Sequence, residues 1–201
     1  MSATLLVGVD CARTRELAAA VPADLVATPQ IDDPTDWKWT FAGQIEHFKE
    51  QLLDGPRVDR AVVCTWAPEY QPRSLVDTGA DEWLIDVERS LALWTVVLDA
   101  VAQRCEDGGA MAVVVERPAP LDSTGHVATT AVAEGVAVLA RSLALVHGER
   151  GTRINTVTSA VGSAPEVLLG LPPALPTYPG TPAREVAGAV RMVLGPDACG
   201  V

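Results

Sequence analysis

Short apolar runs alternate along this chain with longer stretches whose apolar residues recur at helical spacing. Ala3–Val9 (ATLLVGV), Ala23–Thr28 (ADLVAT), Asp59–Pro68 (DRAVVCTWAP), Ala110–Glu116 (AMAVVVE) and Thr152–Thr158 (TRINTVT) read as strands. The first and fourth are apolar at nearly every position, the pattern of strands covered on both faces. Thr14–Val21 holds helix formers without glycine and stops before Pro22. A second helix starts from the Asp33-Pro34 capping pair, carries Phe41, Ile45, Phe48 and Leu52 on one face, and ends at Gly55. Asp81–Gly109 reads as one long helix stopped by Gly108–Gly109, and Val127–Gly151 as another stopped by Gly151. The last helix is Pro182–Gly195, with proline suited to its first turn.

Regular alternation of strand and helix predicts an α/β fold: a doubly wound parallel sheet in three layers, α/β/α, with right-handed crossovers. Residues 1–201 form a single domain in this reading, with no internal repeat. The one irregular stretch, 159–182, is rich in Pro and Gly and reads as a variable surface loop or lid, of a length that is often functional.

Composition narrows the partners. The chain has 201 residues, 48% hydrophobic and 20% charged, enough for a packed core rather than a disordered segment. Its formal charge of −11 argues against binding nucleic acid or an anionic membrane surface. Cys11, Cys64, Cys105 and Cys199 lack C-x-x-C spacing, and His47, His126 and His147 are scattered, so no metal site is expected. No leader pattern opens the chain and no apolar run of membrane-spanning length stands free of charges or breaks. The expectation is a cytoplasmic protein with reduced thiols and no membrane span.

Three stretches resemble the short-chain dehydrogenases/reductases (SDR). "ARSLALVHGERGTRINTV" is similar to that family's R-S-L-A-x-E-x-x-x-x-G-I-R-V-N-x-V, and "DEWLIDVERSL" to its E-x-W-x-x-x-x-x-V-N-L. "GTPAREVAGAVRMVLGPDACGV" is similar to its late G-x-P-E-E-V-A-x-x-V-x-F-L-x-S-D-x-A-x-x-V-T-G. The resemblance implies a Rossmann-like domain binding NAD(P) through a Gly-rich turn after the first strand, with an Asn-Ser-Tyr-Lys catalytic set.

The residues that would carry this chemistry are replaced. After the first strand comes "VGVDCARTRE", where Gly8 is the only glycine before Gly43 and Asp10 would set a carboxylate near a pyrophosphate. Counting back from Arg141, the tyrosine position falls on Thr129, the lysine on Ala133 and the serine on Glu116; the asparagine of the "DVN" pattern is Glu88. "CTWAP" stands in place of N-N-A-G, so that Trp66 intrudes where the cofactor would lie, and Ser159–Ala160 replaces a Pro-Gly. Arg13 and Arg15 remain as a possible anion site or simply as solvated residues at a helix start. The chain is thus identified as a degenerate SDR member for which no cofactor is expected.

The family's two long helices pair with those of another subunit. By that resemblance, Leu91, Trp94, Leu98 and Val101 on the first helix, with Val132, Val136, Leu139 and Leu143 on the second, are the candidate interface. A helix apolar nearly all round needs cover on every face, one from the sheet and one from a partner. By the same resemblance the family pattern runs on into a last strand beyond the position of Val201; the expectation is a sheet with the last family strand missing and an edge to be covered. The expectation is a non-catalytic subunit that forms a homodimer or a hetero-oligomer with an active SDR subunit. Two other readings stand beside it. One is a non-redox enzyme, such as a lyase or isomerase, using Glu88 and Glu116 as paired carboxylates, although these could instead pair with Arg89 or Arg117. The other is a divergent SDR oxidoreductase acting on a carbonyl or hydroxyl substrate.

Overall fold

The computed structural model describes residues 4–29, 42–66, 74–118, 125–160 and 181–198. Five parallel strands form one sheet among them: β1 (Thr4–Gly8), β2 (Asp24–Ala27), β3 (Val58–Cys64), β4 (Cys105–Arg117) and β5 (Arg153–Ala160). Their order is β2-β1-β3-β4-β5. The helices are α1 (Ala12–Ala20), α2 (Ala42–Leu53), α3 (Ala80–Trp83), α4 (Ser90–Arg104), α5 (Val127–His147) and α6 (Ala183–Leu194), with a π-helical segment, Leu84–Arg89, joining α3 to α4.

The strands are apolar at successive positions because each face of the sheet has its own core. Leu5 and Val7 of β1, Ala61 and Val63 of β3, and Met111, Val113 and Val115 of β4 point toward α2, α4 and α5. The alternate residues Leu6, Val62, Cys64, Ala112 and Val114 point the other way, toward α1 and α6. This period-2 division makes three layers. On α6 the buried Val186, Ala187, Val190 and Leu194 form one stripe, and Pro182 is the residue just before the helix, its carbonyl accepting from the Glu185 and Val186 amides.

Two expectations change at element ends, and one falls outside the described residues. The long helix does not reach Gly108–Gly109; it stops at Arg104, and Cys105 is already extended (φ −63°, ψ 135°). Between the pairs Val58↔Cys105 and Arg60↔Ala110 the register shifts. Gly108, at φ 79°, serves this irregular strand entry rather than a helix end. The Asp33-Pro34 cap and Phe41 lie outside the described residues. So does most of the 159–182 loop: Ser159 and Ala160 belong to β5, and Thr181 holds Ala160 through two hydrogen bonds of 3.0 Å.

The candidate interface also needs correction. Trp94, Leu98, Val101 and Val136 are buried in the chain's own core and offer no outer surface. Leu91, Val132, Leu139 and Leu143 are half-buried; Leu91 lies against Gly135, where a β-carbon would collide with its side chain. The exposed apolar positions of α5 are Val138, Leu145 and Val146. A 22-residue span, Val127–Gly148, is long and apolar enough to cross a bilayer, and in this fold it lies against β4, β5 and α4.

Candidate functional site

In an open parallel sheet the carboxyl ends of the strands form the crevice where ligands bind, at the point where strand order reverses. Here that point lies between β1 and β3, since β2 lies on one side of β1 and β3 on the other. Gly8, at the end of β1, is needed for close approach. A β-carbon there would stand 3.0 Å from the Cys64 carbonyl oxygen and 3.1 Å from Thr14 Cγ2. The glycine lets α1 pack down on the strand through the fully buried Thr14. The following turn carries side chains and is self-contained: the Cys11 amide donates to the Val9 carbonyl, and Arg15 Nε donates to Asp10 at 2.6 Å.

Trp66 follows β3 and is completely buried on the α1–α6 side of the sheet. Its indole N–H donates to Ser159 Oγ at 2.8 Å, and that hydroxyl donates to the Val115 carbonyl at 3.3 Å. Arg13 from α1 stacks over the indole, 4.3 Å from the ring centroid, and its guanidinium donates to Glu116 Oε1 at 2.6 Å. Glu116 is 8% exposed. Indole, guanidinium, carboxylate and hydroxyl thus form one connected cluster across the ends of β3, β4 and β5.

Beside this cluster is a cavity of about 250 Å³. Trp66, Trp94, Leu93 and Val132 supply apolar wall, while Asp86, Ser90, Thr65 and Glu116 supply polar groups. Asp86 and Ile85 reach it from the π-helical segment, an irregularity that re-aims side chains and recurs at functional positions.

Three of the four positions singled out by resemblance meet here: Glu116, Thr129 and Ala133 all line the cavity. Glu88 does not. It is exposed, outside the lining, and the carboxylate that shares the cavity with Glu116 is Asp86. Sequence reading missed Asp86 because the π-helical turns shift the facing residue relative to an α-helical count. The ion pairs also differ from those expected: Glu116 joins Arg13, and Arg117 joins Glu134 at 3.0 Å. Burial pushes the Cys64 thiol up to about 12 and the Cys105 thiol to about 11, so neither is a nucleophile near neutral pH. Among the described residues no group of three or more His, Cys, Asp or Glu side chains is arranged to hold a metal ion.

No family model matches the sequence, and no curated protein matches it by sequence. Solved structures do match. The protein lin1944 from Listeria innocua superposes with a TM-score of 0.65 at 16% identity, over 98% of this chain and 95% of that one. A small-chain dehydrogenase matches at 0.64 and 14% identity, over 98% and 92%. BdcA in complex with NADPH matches at 0.59 and 17%, over 98% and 88%. The fold is the Rossmann-like α/β fold of short-chain dehydrogenases. At these identities the likeness is one of fold, and it leaves the chemistry of the cavity at the carboxyl edge unassigned.

Proposed function

We propose that this chain is a non-catalytic SDR-like subunit that has exchanged its dinucleotide site for packing. The observation that carries this reading is Trp66, fully buried across the strand ends and held by Ser159 and by Arg13, which is itself fixed by Glu116. A pyrophosphate needs open backbone N–H groups at a helix start. The turn before α1 instead carries Asp10 ion-paired to Arg15, and its one nearby glycine is used to seat α1 on the sheet. The residues present therefore do not fit NAD(P). At the tyrosine and lysine positions, Thr129 and Ala133 supply neither a phenol nor an ammonium to move a proton.

In this reading the outer stripe of α5, formed by Val138, Leu145 and Val146, pairs with a second copy or with an active SDR subunit. Titration with NADH and NADPH followed by fluorescence tests the first half, and tight binding of either overturns it. Light scattering of the isolated chain and co-purification with a reductase test the second half. A stable monomer that captures no SDR subunit overturns the pairing.

A divergent SDR oxidoreductase is the second reading. It is favoured by the cavity at the carboxyl edge and by a fold shared with a protein solved with NADPH. The same titration separates the two.

A further inference from the structure

The positions that would hold a tyrosine and a lysine are Thr129 and Ala133, and their small side chains leave room beside α5. The space is not simply apolar. Its lining includes two carboxylates, Asp86 and Glu116, and two indoles, Trp66 and Trp94, with no Lys, Arg or His among its described residues; the adjoining Arg13 pairs with Glu116 and covers Trp66, so Asp86 adds a second negative charge to a space that holds one paired carboxylate. Arg13 engages Oε1 of the buried Glu116, while no donor among the described residues takes Oε2. Carboxylates and aromatic walls together favour a cation over an anion. The chain's charge of −11 attracts the same sign from a distance.

We infer that this cavity binds a small organic cation, an amine with an apolar body, with its ammonium group toward Asp86 and Glu116 and its body against Trp94, Leu93 and Val132. Size sets the class further. A cavity of about 150 Å³ holds benzene. The 250 Å³ here therefore suits a ligand of about ten non-hydrogen atoms. The inference deepens the reading of a site that takes no dinucleotide, and it rests on that reading only in leaving this space to another ligand.

Calorimetric titration of the full chain with three probes of matched shape tests it: 2-phenylethylamine, 2-phenylethanol and phenylacetate. The expected result is binding of the amine at least about tenfold tighter than the alcohol, with the weakest binding from the carboxylate. Glu116→Gln and, separately, Asp86→Asn are expected to weaken the amine by about tenfold and about threefold while leaving the alcohol unchanged. Thr129→Phe, which fills the space from a half-buried position, is expected to abolish binding of both amine and alcohol. Should Glu116→Gln fail to fold, the charge series on the unaltered chain and Asp86→Asn decide the matter. Equal affinity for amine and alcohol, tighter binding of phenylacetate, or no amine binding at about 5 mM overturns the inference. A parallel NADH titration separates the failures: NADH binding overturns the non-catalytic reading, whereas silence from both ligands overturns only the cation site.

Discussion

The two ends of the sheet use arginine differently. At the amino end, arginines close loops by donating to backbone carbonyls, and two of them, Arg57 and Arg150, also pair with the exposed Asp107. Arg104 donates twice to the Pro56 carbonyl at 2.8 and 3.0 Å, and Arg57 and Arg150 both reach the Cys105 carbonyl. Arg153 binds the Val193, Gly195 and Ala198 carbonyls and so ties α6 to β5. At the carboxyl end the arginine that meets the cavity cluster, Arg13, donates to a carboxylate and stacks on an indole. Carbonyl partners satisfy groups that any fold must satisfy. A side-chain cluster beside a cavity is an arrangement that backbone needs do not explain, and that difference marks the carboxyl end as the place to look for a ligand.

The contrast can be broken by substitution. The largest effect is expected from Trp66→Ala at the carboxyl end: loss of a fully buried indole costs about 3–5 kcal/mol in denaturant unfolding. If that variant, where folded, also gains NADH binding, the indole is what blocks the dinucleotide. At the amino end, Arg104→Ala removes both hydrogen bonds to Pro56 and is expected to cost about 2 kcal/mol, with no change in amine binding. Ser159→Ala leaves the buried Trp66 N–H without its acceptor, at about 1.5 kcal/mol by the same measurement.

Glu116→Gln tests the ion pair. Because Arg13 is 38% exposed, solvent screens the pair and the expected loss is about 1 kcal/mol or less, shrinking with added salt. The smallest effect is a pH dependence. Burial holds the His126 and His147 imidazoles below their ordinary value of 6.5, with Arg150 adding to the shift at His147. The unfolded chain therefore takes up protons first, so this stability is full above pH 6.5 and is lost as pH falls below it. Thermal melts across that window should flatten in a variant carrying His126→Gln and His147→Gln. An unchanged slope would show that neither ring contributes.

Much of this architecture was legible before any coordinates. The apolar strands of β1 and β4 require two covered faces, and the helical spacing of Ile45, Phe48 and Leu52 forecast the face that α2 buries. Trp66 and Glu116 stand where the resemblance alone would put other residues, and motif spacing was enough to single them out. The phase of the long helices was not legible. α5 is apolar nearly all round and α4 is apolar outside the line of Thr95, Asp99 and Gln103, so periodicity does not separate the face packed on the sheet from its apolar flanks, and core residues such as Trp94 and Val136 read as outward. The helix end near Gly108 was misplaced because glycine signals a break without saying whether a helix or a strand is being broken.

Sequence alone determined the layer order, since covalent alternation of apolar runs and helical periods is a local property of the chain. It also picked out Thr129, Ala133 and Glu116 as positions to watch, since motif spacing is local too. Only the tertiary structure decided what gathers around them. Arg13 and Glu116 are separated by 103 positions, and Trp66 and Ser159 by 93. Parallel pairing of β3, β4 and β5 brings their carboxyl ends together, and a π-helical turn swings Asp86 to the same space. Such distant juxtapositions follow from strand register and helix phase, which no short window of sequence encodes.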